Sequence, residues 1–349
     1  VALGGLGNFS AIELEKVLAG KKASVNYGIG DKTEAVTGSC SPKDFETMMQ
    51  LTYLTFTAPR RDNDAFASYK NRSKAELQNM DLNPSSSFSD SITSTLYMKH
   101  PRTLRMKADM VDKMDYDKIL SMYQDRFKDA SDFTFILVGN VDVEAVKPLI
   151  ESYLGSLPSI NRKETFKDNH IAMRKGIYKN EFIRQQETPK VNNFICYSGT
   201  CQYNLRNDIL SMTDQLLNLI YTEKVREDEG GTYGVYPMGQ LVKYPVERAV
   251  LQIFFNTAPA KQEKLMTIIY AEADAFAKNG PDEASLNKVK EYMLKKHNED
   301  LKENGYWLNS IDEYLYTGID PVKDYEQIVN SITAKDVRQF ANELLKQQD

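Results

Sequence analysis

Apolar positions recur with a helical period over most of this chain, interrupted by short strand-like runs. Ile209, Met212, Leu216 and Leu219 mark one helix face that continues to about Arg226. Gly230-Gly231 suits the stop of that helix, because glycine accepts the left-handed conformation of a C-terminal cap. Leu265, Ile268, Ile269 and Phe276 mark a second face, closed by Gly280-Pro281, and Leu286, Val289 and Met293 open a third. In the first half, Ser41-Pro42-Lys43-Asp44 begins a helix that ends before Pro59. Residues 133–139 read as a buried strand, and 191–197, 232–242 and 249–255 as further strands. The last two are separated only by a short loop. Short links between strands, with helices following singly or in pairs, favour an antiparallel α+β layer over a doubly wound parallel sheet.

The same pattern occurs twice. Pro59-Arg60-Arg61-Asp62 and Gly280-Pro281-Asp282 each open a charged helix, and Asp62, Phe66 and Lys70 lie 220 positions before Asp282, Leu286 and Lys290. Leu96-Tyr97 with Pro101 answers Leu315-Tyr316 with Pro321, at offsets of 219 and 220. Val111, Met114 and Ile119 answer Val329, Ile332 and Val337 at 218. Agreement in order and spacing over this length predicts a duplicated unit, divided into residues 1–165 and 166–349, with the polar stretch 158–169 as linker. Adding 218 to Phe133 passes Asp349, so the second unit is expected to stop before its final strand. The first unit lacks the strand and long helix that precede Tyr233-Gly234-Val235 in the second. Both ends therefore read as incomplete, as in a piece of a longer polypeptide.

Composition narrows the chemistry. With 349 residues, 41% hydrophobic and 27% charged, the chain has material for about two globular cores. A net charge of -5 gives no electrostatic footprint for nucleic acid, and no apolar run is long enough to suggest a membrane span. Cys40, Cys196 and Cys201 make no disulfide framework and read as buried or half-buried thiols. The three histidines, His100, His170 and His297, are far apart; no His-x-x-x-His, His-x-x-Glu-His or Cys-x-x-Cys occurs, so no zinc site is expected on this chain. His297 in its charged helix reads as part of a solvated face, and His100 before Pro101 as a loop residue. Gly4-Gly5-Leu6-Gly7 lacks the Lys-Ser/Thr of a phosphate loop and reads as a turn or hinge.

Arg226 and Tyr233 remain, seven positions apart across a helix end that turns into a strand. Taken alone, the pair is ordinary: arginine suits a helix C-terminus and tyrosine suits a strand. In context, Arg226-Glu227-Asp228-Glu229-Gly230-Gly231-Thr232-Tyr233-Gly234-Val235 resembles the Arg-x-x-x-x-x-x-Tyr signature in the non-catalytic half of insulinase/pitrilysin-like zinc metallopeptidases. Val225 precedes the arginine, Gly230 takes the glycine position and Val235 follows the tyrosine. The two tandem α+β repeats with Pro-x-x-Asp-type helix starts are similar to that family over nearly the whole chain, and most of all to the C-terminal half of large bacterial members with four repeats.

That resemblance implies the fold of the family: two tandem repeats, each an antiparallel sheet layered with helices in the LuxS-like manner, here the third and fourth. It implies that an inverted zinc motif, His-x-x-Glu-His, sits on an N-terminal half of the same polypeptide, which is the expected partner across a closed chamber. Zinc would belong to the full-length protein and none to this chain; the other partner would be a peptide substrate, with no nucleic acid or membrane. Tyr233 would donate a hydrogen bond to the carbonyl oxygen under attack, and Arg226 would hold a neighbouring carbonyl of the peptide. Exposed edge strands near Tyr233 would add the substrate as an extra strand. The first repeat has Tyr27-Gly28-Ile29 at the matching place but Gly20 where an arginine would stand, so it is expected to be structural. A bacterial periplasmic or exported setting follows by analogy. Two other readings stay open: a catalytically inactive relative serving as an assembly or scaffold subunit, and an unrelated α+β binding protein.

Overall fold

A computed structural model describes residues 2–185, 187–211, 213–227 and 234–347. In chain order its regular elements begin with α1 (Ala11–Val17), the strands β1 (Ala23–Ile29) and β2 (Glu34–Cys40), and the helices α2 (Phe45–Thr57), α3 (Asn63–Leu82), α4 (Pro84–Leu96), α5 (Ala108–Val111), α6 (Tyr116–Phe127) and α7 (Val143–Tyr153). There follow β3 (Val191–Thr200), α8 (Leu205–Ser211), α9 (Asp214–Tyr221), a π-helical turn Thr222–Glu227, β4 (Val235–Val242) and β5 (Arg248–Thr257). Five helices close the chain: α10 (Gln262–Asn279), α11 (Glu283–Asp300), α12 (Asn304–Thr317), α13 (Tyr325–Ser331) and α14 (Ala334–Lys346). Strand pair, proline-led 3-10 turn and five helices follow one another twice, from β1 to α6 and from β4 to α14. The paired aspartates act alike in both. Asp62 accepts from the Ala65 N–H at 2.9 Å and Asp282 from the Ser285 N–H at 2.8 Å, each capping its helix; such a cap stabilises by about 1 kcal/mol.

Two compact units divide the chain, Val1–Ser86 with Arg105–Asn169, and Ser87–Leu104 with His170–Asp349. The latter part of α4 and the turn after it group with the second unit. In the first unit, β1 and β2 pair antiparallel from Ala23↔Cys40 to Ile29↔Glu34. Helix α2 packs on this pair and on α6 and α7. Met49, Phe56, Tyr123 and Phe127 fill the space between them. Tyr27 meets Tyr123 edge-on at 4.8 Å, placing it in that aromatic core. Asp44 turns the chain into α2: its carboxylate accepts from the Ser41 hydroxyl at 2.6 Å and the Lys22 N–H at 2.9 Å. Gly4-Gly5-Leu6-Gly7 forms a turn; at Gly5, with φ of 90°, a Cβ would lie 2.1 Å from the Phe9 carbonyl oxygen.

Residues 133–138 depart from expectation. They are not paired as a strand, and Phe135 and Leu137 are exposed. The run has the composition of a strand, but strand formation depends on a neighbour with which to exchange hydrogen bonds. Among the described residues it has none. Phe133 still packs on Phe56 at 5.0 Å.

In the second unit the sheet order is β3-β5-β4, all antiparallel. One face is closed by α9, α10 and α14, with Ile253, Leu265, Ile269 and Val337 fully buried between them. The helix expected from Ile209 to Arg226 is split into α8 and α9. Thr213 N–H bonds back to Leu210 rather than one residue earlier, at 3.1 Å, tightening the turn at the break. The break is where Gly239 of β4 approaches: a Cβ there would lie 1.8 Å from the Ser211 carbonyl oxygen. His297 also corrects the reading of a solvated face. It continues the stripe Leu286, Val289, Met293 at helical spacing and is 6% exposed. Its ring stacks on Tyr325 at 4.3 Å, and its Nδ1 lies 3.0 Å from the Tyr306 hydroxyl.

Candidate functional site

The described residues on either side of the segment singled out by the sequence lie in the core of the second unit. Tyr221 ends α9 in the core and its hydroxyl donates to the Ile269 carbonyl of α10 at 3.2 Å; burial raises its pKa, keeping the phenol neutral. The chain then widens into the π-helical turn, a form that recurs at functional sites. Val225 in that turn is fully buried, and Val235, the first residue of β4, is 4% exposed in the same core cluster. Arg226 directly follows the first valine. Its backbone lies in the turn, and its side chain is outside what the structure describes, as is the whole of Tyr233 together with Gly230-Gly231.

Beyond Val235 the strand alternates. Val235, Pro237 and Leu241 point into the core, while Tyr236 and Met238 point away from it. Register carries this outer face across the sheet, since Tyr236 is opposite Phe254 and Phe254 is opposite Phe194. The Phe194 and Phe254 rings are 4.7 Å apart, and Tyr236 is 54% exposed. An aromatic row therefore crosses the open face of the sheet, beginning three residues after Tyr233. Its sequence signal is the period-two alternation of residues 235–241.

The free edge of β4 is less open than expected. Residues of one parity in an antiparallel edge strand aim their N–H away from the partner. Here Gly239 belongs to that set, because its N–H donates to Asp214 Oδ2 at 3.0 Å. Pro237 has the same parity and no N–H at all. Two successive donors are thus removed from the edge, a common protection against strand addition. Burial raises the pKa of Asp214, opposed by its bonds from the Gly239 and Gln215 N–H groups. No group of three or more His, Cys, Asp and Glu side chains among the described residues could hold a metal ion.

Residues 113–293 match the family described as the peptidase M16 inactive domain. The chain belongs to that family. The curated protein "Probable zinc protease PqqL" of Haemophilus influenzae is 21% identical over 330 residues, covering 90% of this chain and 34% of the relative. Among solved structures, the periplasmic protease PqqL of Escherichia coli aligns with a TM-score of 0.84 at 18% identity, covering 100% of this chain and 39% of that one. A peptidase M16 inactive domain from Pseudomonas fluorescens aligns at 0.76 with 19% identity, covering 98% and 83%. The chain spans about a third of the length of the curated relatives it matches. Its fold is that of M16 peptidase halves, two repeats of helices layered on small antiparallel sheets. Among the described residues no helix is long and apolar enough to cross a membrane.

Proposed function

We propose that this chain is the substrate-binding half of a zinc-dependent metalloendopeptidase, its two units being the third and fourth repeats of a four-repeat protein. The metal and the general base sit on the N-terminal half. A periplasmic setting, like that of the Escherichia coli protein named above, goes with this reading. The observation that carries it is a pair of buried valines of one core, Val225 and Val235, that flank the Arg226–Tyr233 segment in sequence, with an aromatic row on the open face of the sheet that Val235 begins.

In this reading Tyr233 donates its phenol hydrogen to the peptide carbonyl oxygen. The bond strengthens as negative charge builds there, so it lowers the barrier rather than simply tightening binding. Arg226 donates to a neighbouring carbonyl through its planar fork and aligns the chain. Tyr236, Phe254 and Phe194 offer flat apolar surface to substrate side chains. The blunted edge of β4 directs the peptide across the face of the sheet rather than along residues 237–239. In the intact protein, Tyr233→Phe should lower turnover by about two orders of magnitude and leave zinc content unchanged. Arg226→Ala should act mainly by raising KM. Turnover unaltered by Tyr233→Phe would remove that residue from the mechanism.

A further inference from the structure

Helix α12 is inside out. Its polar side faces the second unit: Ser310 and Thr317 are buried, Glu313 accepts from the Tyr203 hydroxyl at 2.8 Å, and the Tyr306 hydroxyl meets His297. Its apolar side faces outward. Trp307, Leu308, Ile311, Tyr314 and Leu315 follow helical spacing and are each between 37% and 52% exposed. The Trp307 indole N–H is satisfied by the Leu301 carbonyl at 2.8 Å, so the ring offers apolar surface. A contiguous exposed apolar stripe of this kind marks a binding surface.

Two observations say what would cover it. The first is charge: apart from the inward-facing Glu313, residues 301–321 carry three carboxylates, Glu303, Asp312 and Asp320, against the single base Lys302. The second is the duplication. Helix α4 is the counterpart of α12, Leu96 matching Leu315, and within the second unit its C-terminal end receives an extended basic stretch of this same chain. Arg174 donates from its N–H to the Leu96 carbonyl at 2.6 Å and from Nε to the Thr95 carbonyl at 3.0 Å. Asn180 donates to the hydroxyls of Ser91 and Thr95 at 2.8 and 3.0 Å. Residues 171–184 mix Arg174, Lys175, Lys179 and Arg184 with Ile171, Met173, Ile177 and Phe182.

We infer that the outer face of α12 binds an extended basic peptide whose Lys and Arg residues alternate with apolar side chains. The choice of a peptide as ligand rests on the peptidase reading above, and it narrows that reading to cationic substrates. Apolar side chains lie on the Trp307–Ile311–Leu315 stripe while the cations reach Glu303, Asp312 and Asp320.

Trp307 is the only tryptophan of the chain, so its emission reports this face alone. The probe is a synthetic peptide of residues 171–184, titrated into the 349-residue chain; the control is the same peptide with each Lys and Arg replaced by Glu. The basic peptide should change Trp307 emission saturably, and its Kd should weaken about tenfold from low salt to about 0.5 M, where charges are screened. The acidic control should leave the emission unchanged. Ile311→Ser with Leu315→Ser should abolish the response without lowering Tm, because both side chains are exposed. An equal response to the acidic control, a response that survives the double substitution, or none at all overturns the inference. So does a Trp307 emission that varies with protein concentration, which would put a second copy on this face. Binding is read here without turnover: if the chain binds but its parent protein cleaves no peptide, the peptidase reading fails and this one stands.

Discussion

Asp208 shows how one half-buried carboxyl couples this fold to pH. It lies on α8, where burial raises its pKa to about 6, with the Glu313 carboxylate adding to the rise. Because the folded value exceeds the unfolded one, folding favours the protonated acid. Its contribution to stability is complete below about pH 4 and is lost as pH rises through about 6. A rise of two pKa units corresponds to roughly 2–3 kcal/mol. Asp208→Asn removes the charge and keeps the shape, so it should raise Tm at pH 8 and do little at pH 4. Thermal unfolding at both values checks this, and a variant less stable than its parent at pH 8 would contradict it. At this scale, what the sequence shows depends on how local the interaction is. Asp62 and Asp282 announce themselves as caps because a cap is local, its acceptor three residues from its donor. His297 did not, although the stripe from Leu286 to Met293 already points at it. Its charged neighbours mask that stripe, and its partners Tyr306 and Tyr325 come from two later elements.

Elements were readable where their cause lies within them, and misread where it lies in a neighbour. The helical period from Ile209 to Leu219 is continuous in sequence, yet the helix breaks because Gly239, on a strand more than twenty residues later, presses against the Ser211 carbonyl. Residues 133–138 have the side chains of a strand and lack a partner strand among the described residues. Gly239 offers a direct test. Gly239→Ala places a methyl 1.8 Å from a backbone oxygen, which must displace either β4 or the end of α8. Overpacking of this kind costs about 1–3 kcal/mol, and more where backbone must move. Gly305 is the matched control: it sits in the first turn of α12 with nothing within 4 Å of its Cβ position. Gly305→Ala should be neutral or stabilise by up to about 1 kcal/mol. Denaturant unfolding of the two variants should rank them in that order. Equal stabilities would mean that the Gly239 contact relaxes at little cost.

At the scale of the molecule, duplication was the most readable feature, because it repeats offsets of 218 to 220 through caps, aromatic pairs and core positions alike. The site was readable only as a spacing. Val225 and Val235, the described residues on either side of the Arg226–Tyr233 segment, are buried in one core, and the roles proposed for Arg226 and Tyr233 call for a metal-bearing complement. The three histidines show why. His297 is committed to Tyr306 and Tyr325. The Nδ1 of His100 accepts from the Arg102 N–H at 3.3 Å. His170 lies in the stretch that leads from one unit to the next. A catalytic zinc needs three protein ligands and an open position, and no described grouping offers them. The 349-residue chain, purified alone, should therefore carry no stoichiometric zinc and hydrolyse no peptide, with or without a chelator. Mixed with a zinc-bearing N-terminal half of the same polypeptide, it should restore chelator-sensitive cleavage, and the Tyr233→Phe chain should restore about a hundredth as much. Zinc retained by the chain alone after dialysis, measured by metal analysis together with peptide hydrolysis, would place the metal centre on this half and undo the division of labour on which the two-half reading stands.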